Sequence, residues 1–291
     1  CEVSIPRDHR LGQLEQPTLW RMEFKPDPER HIALLSVVPQ ARDAFMSELR
    51  QRVAQSKSRS LFVFVHGYNV NFADAARRTA QMTYDLGYDG APIFFSWPSQ
   101  GRLSGYMQDE GNSEWSIPDL RDFLAEVARQ AGDAEIYLVA HSMGNRVATR
   151  ALARLLSEHP ELRPRFREVL LIAPDLDPDV FRRELAPAIM QGGTRVTLYA
   201  SNRDKALLAS KKLHGQVRLG DASPVTILPG MDSIDATEVE TDLLGHSYFA
   251  EAKHVLSDLL AVIRERRPVT LRAWLKEVIG RDGRYWRFQA P

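Results

Sequence analysis

The sequence predicts a doubly wound α/β domain, a mostly parallel sheet with helices on both faces. Short apolar runs rich in Val, Ile, Leu and Phe alternate along the chain with longer stretches of helical periodicity. The runs carry apolar residues at adjacent as well as alternate positions, the pattern of strands buried on both faces. At 291 residues, 44% hydrophobic and 26% charged, the chain has the size and balance of one large domain with short extensions.

The strand candidates are 32–38, 61–65, 92–95, 135–140, 168–173 and 194–200. Helical periodicity fills 41–55, 73–86, 117–130, 145–157 and 180–189. Asp177 followed by Pro178 reads as an N-cap with proline at the first helical position. Gly87 stands where the helix 73–86 needs a left-handed cap. No repeat and no low-complexity linker interrupts the pattern. The expected organisation is a lead-in over 1–30, a catalytic domain over 31–265, and a basic, aromatic helix and tail over 266–291.

Lys+Arg and Asp+Glu both total 38, so no global field points to nucleic acid or to a membrane. No apolar run approaches the ~18 residues of a membrane span. The usual zinc spacings are missing, and Asp175, Asp177 and Asp179 fail as a calcium loop because Val180 and Ala186 occupy the positions needing Gly and Glu. The chemistry expected here calls for neither metal nor cofactor.

The strongest chemical signal is an apolar strand, Glu135 to Ala140, followed by His141-Ser142-Met143-Gly144 and then an amphipathic helix. This is the strand–turn–helix setting of a nucleophile elbow, with Ala140 where the pattern has its first glycine. So tight a turn needs small residues beside the serine, and Ala140 and Gly144 are small. It places the chain in the α/β-hydrolase fold. A serine hydroxyl needs an imidazole to take its proton and an acid to hold that imidazole, in the chain order Ser, acid, His. His246, after Gly245 at the end of a long loop, suits the base, with His214 in reserve. Asp204, just past the last clear strand, suits the acid, with Asp175 on the preceding strand as the alternative. The backbone amide of Met143 should supply one oxyanion donor. The loop His66-Gly67-Tyr68-Asn69 should supply the other, from Tyr68 or next from Asn69.

The segments FVHGYNVNFADAARRTAQ, FFSWPSQG, AHSMGNR, APDLD and YASNRDKAL, in this order, resemble the bacterial α/β-hydrolases of unknown function, a group often predicted to be esterases or lipases. The resemblance covers roughly 37–249. It implies Ser142 as nucleophile, Asp204 as acid and His246 as base, and it implies no settled substrate.

Room for only one short helix between 173 and 194 excludes a large cap there. Cover for the site would come from 96–115 or 214–245, both loop-like in composition, with Trp97, Tyr106 and Trp115 as pocket candidates. A weakly covered site suits bulky esters or lipids. The expected reaction is hydrolysis of a carboxylic ester through an acyl-enzyme. The rival readings are acyl transfer to an alcohol or thiol, and a non-catalytic scaffold that has kept the fold for binding.

Two features bear on location. The single cysteine is Cys1, the residue a bacterial lipoprotein would carry its lipid on, which would place the chain at the cell envelope rather than in the cytoplasm. Residues 264–291 hold eight Lys or Arg against three acids, interleaved with Trp274, Tyr285, Trp286 and Phe288. They are expected either to pack on the body or to lie against anionic lipid.

Overall fold

The computed structural model describes residues 1–17, 23, 25–204, 207, 210–211, 214–239 and 252–289. Seven strands run parallel: β3 (Ser60–Val65), β4 (Ala91–Phe95), β5 (Glu135–His141), β6 (Phe166–Ile172), β7 (Arg195–Ala200), β8 (Met231–Asp235) and β10 (Gly283–Phe288). An eighth, β9 (Leu275–Gly280), pairs antiparallel with β10. The order across the sheet is β4-β3-β5-β6-β7-β8-β10-β9, so β5, which leads to Ser142, lies well inside it.

Strand periodicity assigns the two faces. Leu61, Val63, Val65, Leu138, Ala140, Val169 and Leu171 point into one core. There they pack against α1 (Arg42–Gln55), α4 (Ile117–Gln130), α5 (Gly144–Glu158) and the helical stretch 178–190. Phe62, Phe64, Tyr137, Val139, Leu170 and Ile172 point the other way, onto α2 (Phe72–Asp85) and α6 (Ala252–Ile263). Each face removes apolar area from water at about 25 cal/mol per Å², which is why these strands tolerate so few polar residues. The expected caps are in place. The Asp177 carboxylate accepts from the amides of Asp179 and Val180 at 2.7 and 3.1 Å, and Gly87 adopts φ +52°.

Four expectations are corrected. The stretch 32–38 forms only β2 (Ala33–Ser36), outside the main sheet and paired with β1 (Glu2–Ser4). That pairing crosses the expected boundary at residue 30. His9 sits between Glu15 and Asp85 at 2.8 Å from each. Burial opposes its charge, but the two carboxylates overcome this and raise its pKa to about 9.

The stretch 266–291 is not a helix and tail. Its β9–β10 hairpin completes the main sheet, turning through Arg281-Asp282, with Trp286 and Phe288 in the core. Two β-rich runs either side of Gly280-Arg281-Asp282-Gly283 are a hairpin signal. The stretch 96–115 is not all loop either, because Tyr106–Trp115 forms α3. The stretch 214–245 contains β8, a strand whose sequence Met-Asp-Ser-Ile-Asp has little apolar signal. Among the described residues, no helix is long and apolar enough to cross a membrane.

Candidate active site

The carboxyl ends of β3, β5, β6 and β7 line up along one edge of the sheet, and the loops that follow them carry the candidate residues. Ser142 occupies the turn between β5 and α5 with φ +49°, a left-handed conformation that a side chain disfavours. The turn is pinned from both sides. The Ser142 amide donates to the Ile172 carbonyl at 2.9 Å, and its carbonyl accepts from the amides of Asn145 and Asp175 at 3.1 and 3.2 Å. The fully buried Asn145 side-chain amide bonds both of those carbonyls, at 3.0 Å to Ser142 and 3.2 Å to Ile172.

The demand for small neighbours is met sterically. A Cβ on Gly144 would lie 2.3 Å from the His66 carbonyl oxygen and 2.6 Å from that of Val65. A Cβ on Gly67 would lie 2.9 Å from the Ser142 Cβ. The loop after β3 is therefore pressed against the elbow, and glycine is needed for that approach. Met143, next in the chain, leads directly into the N-terminus of α5, where backbone amides and the helix dipole favour negative charge.

His66 braces that loop. Its ring is fully buried and stacked on Trp97, with centroids 5.0 Å apart. Burial pulls its pKa down to about 4, so it is neutral. Nδ1 donates to the Gly67 carbonyl at 2.9 Å, which leaves Nε2 to accept from the Ser96 hydroxyl at 3.3 Å. The Trp97 indole donates to the His66 carbonyl at 2.6 Å. Trp97 is 1% exposed and belongs to the core rather than to a pocket wall. Trp115 is 72% exposed at the far end of α3. Tyr68 stands edge-on to Tyr106, centroids 5.3 Å apart, and Asn69 follows with φ +58°.

The two acids differ. Asp175 is buried in a closed set of partners. It accepts from the hydroxyls of Tyr106 and Ser210 at 2.6 Å each and from Arg218 Nε at 2.7 Å, with Arg146 at 3.5 Å. Burial acts to raise its pKa, but Arg146 and Arg218 hold it below the usual carboxylate range. Its oxygens are spent on fastening the loop after β6 to α3 and to residues 210 and 218. Asp204 lies past the end of β7, where its carboxylate accepts the Leu207 amide at 2.9 Å.

His246 falls outside the described residues. Of the other histidines, both ring nitrogens of His214 face acceptors, Nδ1 the Ser210 carbonyl at 2.9 Å and Nε2 a Glu110 oxygen at 3.1 Å. The His254 ring packs edge-on to Trp274 and Phe288. Sequence reasoning missed the buried Asn145, Arg146 and Asp109 and the half-buried Glu110. Among the described residues, no three His, Cys, Asp or Glu stand together as a metal site.

A strand–elbow–helix bearing a strained serine on a parallel sheet of this order defines an α/β-hydrolase. Residues 41–266 match the family described as alpha/beta hydrolase of unknown function (DUF900), and the chain belongs to that family. An uncharacterized protein of Nostoc sp. is 33% identical over 66 residues, which is 23% of this chain. The chain spans only 17% of that relative's length. Among solved structures, an uncharacterized Bacillus cereus protein is similar over 86% of this chain and 66% of its own, at 15% identity and a TM-score of 0.46. A fungal esterase from Rhizomucor miehei is similar over 71% of this chain and 73% of its own, at 10% identity and a TM-score of 0.40. Resemblance of this degree identifies no reaction.

Proposed function

We propose that this α/β-hydrolase is a serine esterase that cleaves carboxylic esters of bulky or lipid-like acids through an acyl-enzyme. The observation that carries the reading is Ser142 itself, held at φ +49° in a turn between Ala140 and Gly144 that presses against Gly67 of the loop after β3. Strain of this kind costs on the order of 1–3 kcal/mol and persists where function requires it.

In the proposed reaction the Ser142 hydroxyl adds to the ester carbonyl while His246 takes its proton. The tetrahedral oxyanion is met by the amides of Met143 and Tyr68, each donor contributing roughly 3 kcal/mol. Collapse breaks the bond to the alkoxide, which leaves with the proton from the imidazolium. Water, deprotonated by His246, then releases the acid and restores Ser142. Asp204 orients the imidazole. Support for Asp204 comes from its place past the end of β7, and against Asp175 stands its own closed set of two arginines and two hydroxyls.

Labelling of the purified chain with a fluorophosphonate tests this. Wild type should label and should hydrolyse p-nitrophenyl esters of graded chain length. Ser142→Ala should do neither, with turnover down roughly a millionfold by analogy with other serine triads. A wild type that resists the probe, or a Ser142→Ala variant that still labels, overturns the assignment.

A further inference from the structure

We propose that Asp109, on α3, is a positioning residue for the oxyanion hole, holding the loop after β3 so that the Tyr68 amide meets the developing charge. This rests on the Ser142 and Tyr68 roles given above.

Asp109 is fully buried, and its partners among the described residues are hydrogen-bond donors rather than a charged side chain. Burying a carboxylate without a counter-charge is costly unless donors surround it. Here they do. Oδ1 accepts the Gln100 amide at 2.6 Å, and Oδ2 accepts the Ser99 hydroxyl at 2.6 Å and the Asn69 amide at 3.5 Å. Having given its proton to Asp109, the Ser99 oxygen accepts the amides of Val70 at 3.3 Å and Gly101 at 3.4 Å. Two successive amides of the loop are thus tied to one carboxylate, Asn69 directly and Val70 through Ser99.

Their position in the chain gives the tie its consequence. Tyr68 immediately precedes Asn69, which turns the loop through the left-handed region at φ +58°, a conformation asparagine accepts. On the other side, His66 and Trp97 clamp Gly67. The Gly67–Tyr68 peptide is held from both ends, and Asp109 is the anchor at one of them. An oxyanion donor stabilises the transition state only when it already points within 2.7–3.1 Å of where the charge will form. An aspartate serves where an asparagine would not. Every donor around it needs an acceptor, and a side-chain amide would turn an N–H toward either Gln100 or Ser99.

The test is Asp109→Asn, nearly isosteric, with Ser99→Ala and Ser99→Thr beside it. In steady-state hydrolysis of a soluble short-chain ester, Asp109→Asn should lower kcat about tenfold to hundredfold, less than outright loss of a donor. KM should stay within about twofold. Ser99→Ala should move the same way by less, and Ser99→Thr, which keeps the hydroxyl, should return toward wild type. Amide hydrogen exchange of 67–71 should quicken in Asp109→Asn, with 158–165 unchanged. Wild-type exchange in that segment, or a kcat loss matched by KM or by the unfolded fraction, overturns the proposal. If wild type hydrolyses no ester, the esterase reading falls and hydrogen exchange alone decides whether Asp109 holds the loop.

Discussion

Both ends of the strands bury a knot of carboxylate and arginine. At the carboxyl ends of the strands, Asp175 gathers Arg146, Arg218, Tyr106 and Ser210. Near the amino ends, the fully buried Arg272 reaches Glu168 at 3.2 Å and Asp258 at 3.4 Å, with the Thr197 and Tyr199 hydroxyls closing the set at 2.6 Å. The first knot ties loops and α3 together around Ser142. The second ties the segment after α6 to the underside of β6 and β7. Their electrostatics diverge as well. Two arginines keep Asp175 below its ordinary range, whereas burial pushes Asp258 up to about 6 against the single Arg272. The same chemistry is thus used once to fix the geometry of a site and once to close a fold.

The contrast can be broken most severely at the carboxyl ends. Asp204→Ala should lower kcat about four orders of magnitude, the scale of losing the acid that holds a catalytic imidazole. His246→Ala should silence turnover at least as completely. Asp175→Ala should instead lower the unfolding midpoint, with a much smaller fall in kcat per folded molecule. If Asp175→Ala is the more damaging to kcat, the acid sits on β6 and the division between the two carboxylates is wrong.

At the amino ends Arg272→Met should act on stability alone. It strands Asp258 without its cation and leaves Glu168 only Arg195 at 3.7 Å, a loss of about 3–5 kcal/mol by urea unfolding. Turnover per folded molecule should match wild type. A specific fall in kcat would mean that the lower knot also supports the site.

The smallest effect sharpens the electrostatic difference. Asp258 has a folded pKa above its unfolded value, so the stability it contributes is full below about pH 4 and lost as pH rises through about 6. Asp258→Asn should flatten this part of the pH dependence of urea unfolding between pH 4 and 7. Asp175→Asn should do the reverse, because a depressed carboxylate contributes above its unfolded pKa and loses that contribution as pH falls. Identical pH profiles for the two variants would remove the distinction.

How much of this was legible in the sequence follows from what writes a period. Strands such as Ser60–Val65 and helices such as Ile117–Gln130 bury apolar side chains at fixed intervals, and their bounds were readable nearly to the residue. The α3 helix buries Asp109 and Ser113 rather than an apolar stripe, so it read as loop. The β8 strand lies between β7 and β10 with Ser233 and Asp235 satisfied by Thr226 and Arg287, and it carried no run of apolar residues. The elbow at Ser142 was visible because its steric demand falls on immediate neighbours. Asp109, Arg146 and Asn145 were not visible, because their partners come from remote positions, as when Tyr106 meets Asp175.

The place of β10 has a consequence in time. It pairs with β8 on one side and β9 on the other, yet about fifty residues separate Asp235 from Trp286 in the chain. At a synthesis rate of roughly 5–20 residues per second, β8 waits several seconds on the ribosome for its outer neighbour. Through that interval its open side offers unpaired backbone groups to any passing strand. The elbow at Ser142 is thus synthesised well before β10, and until β10 arrives the outer side of β8 stays open.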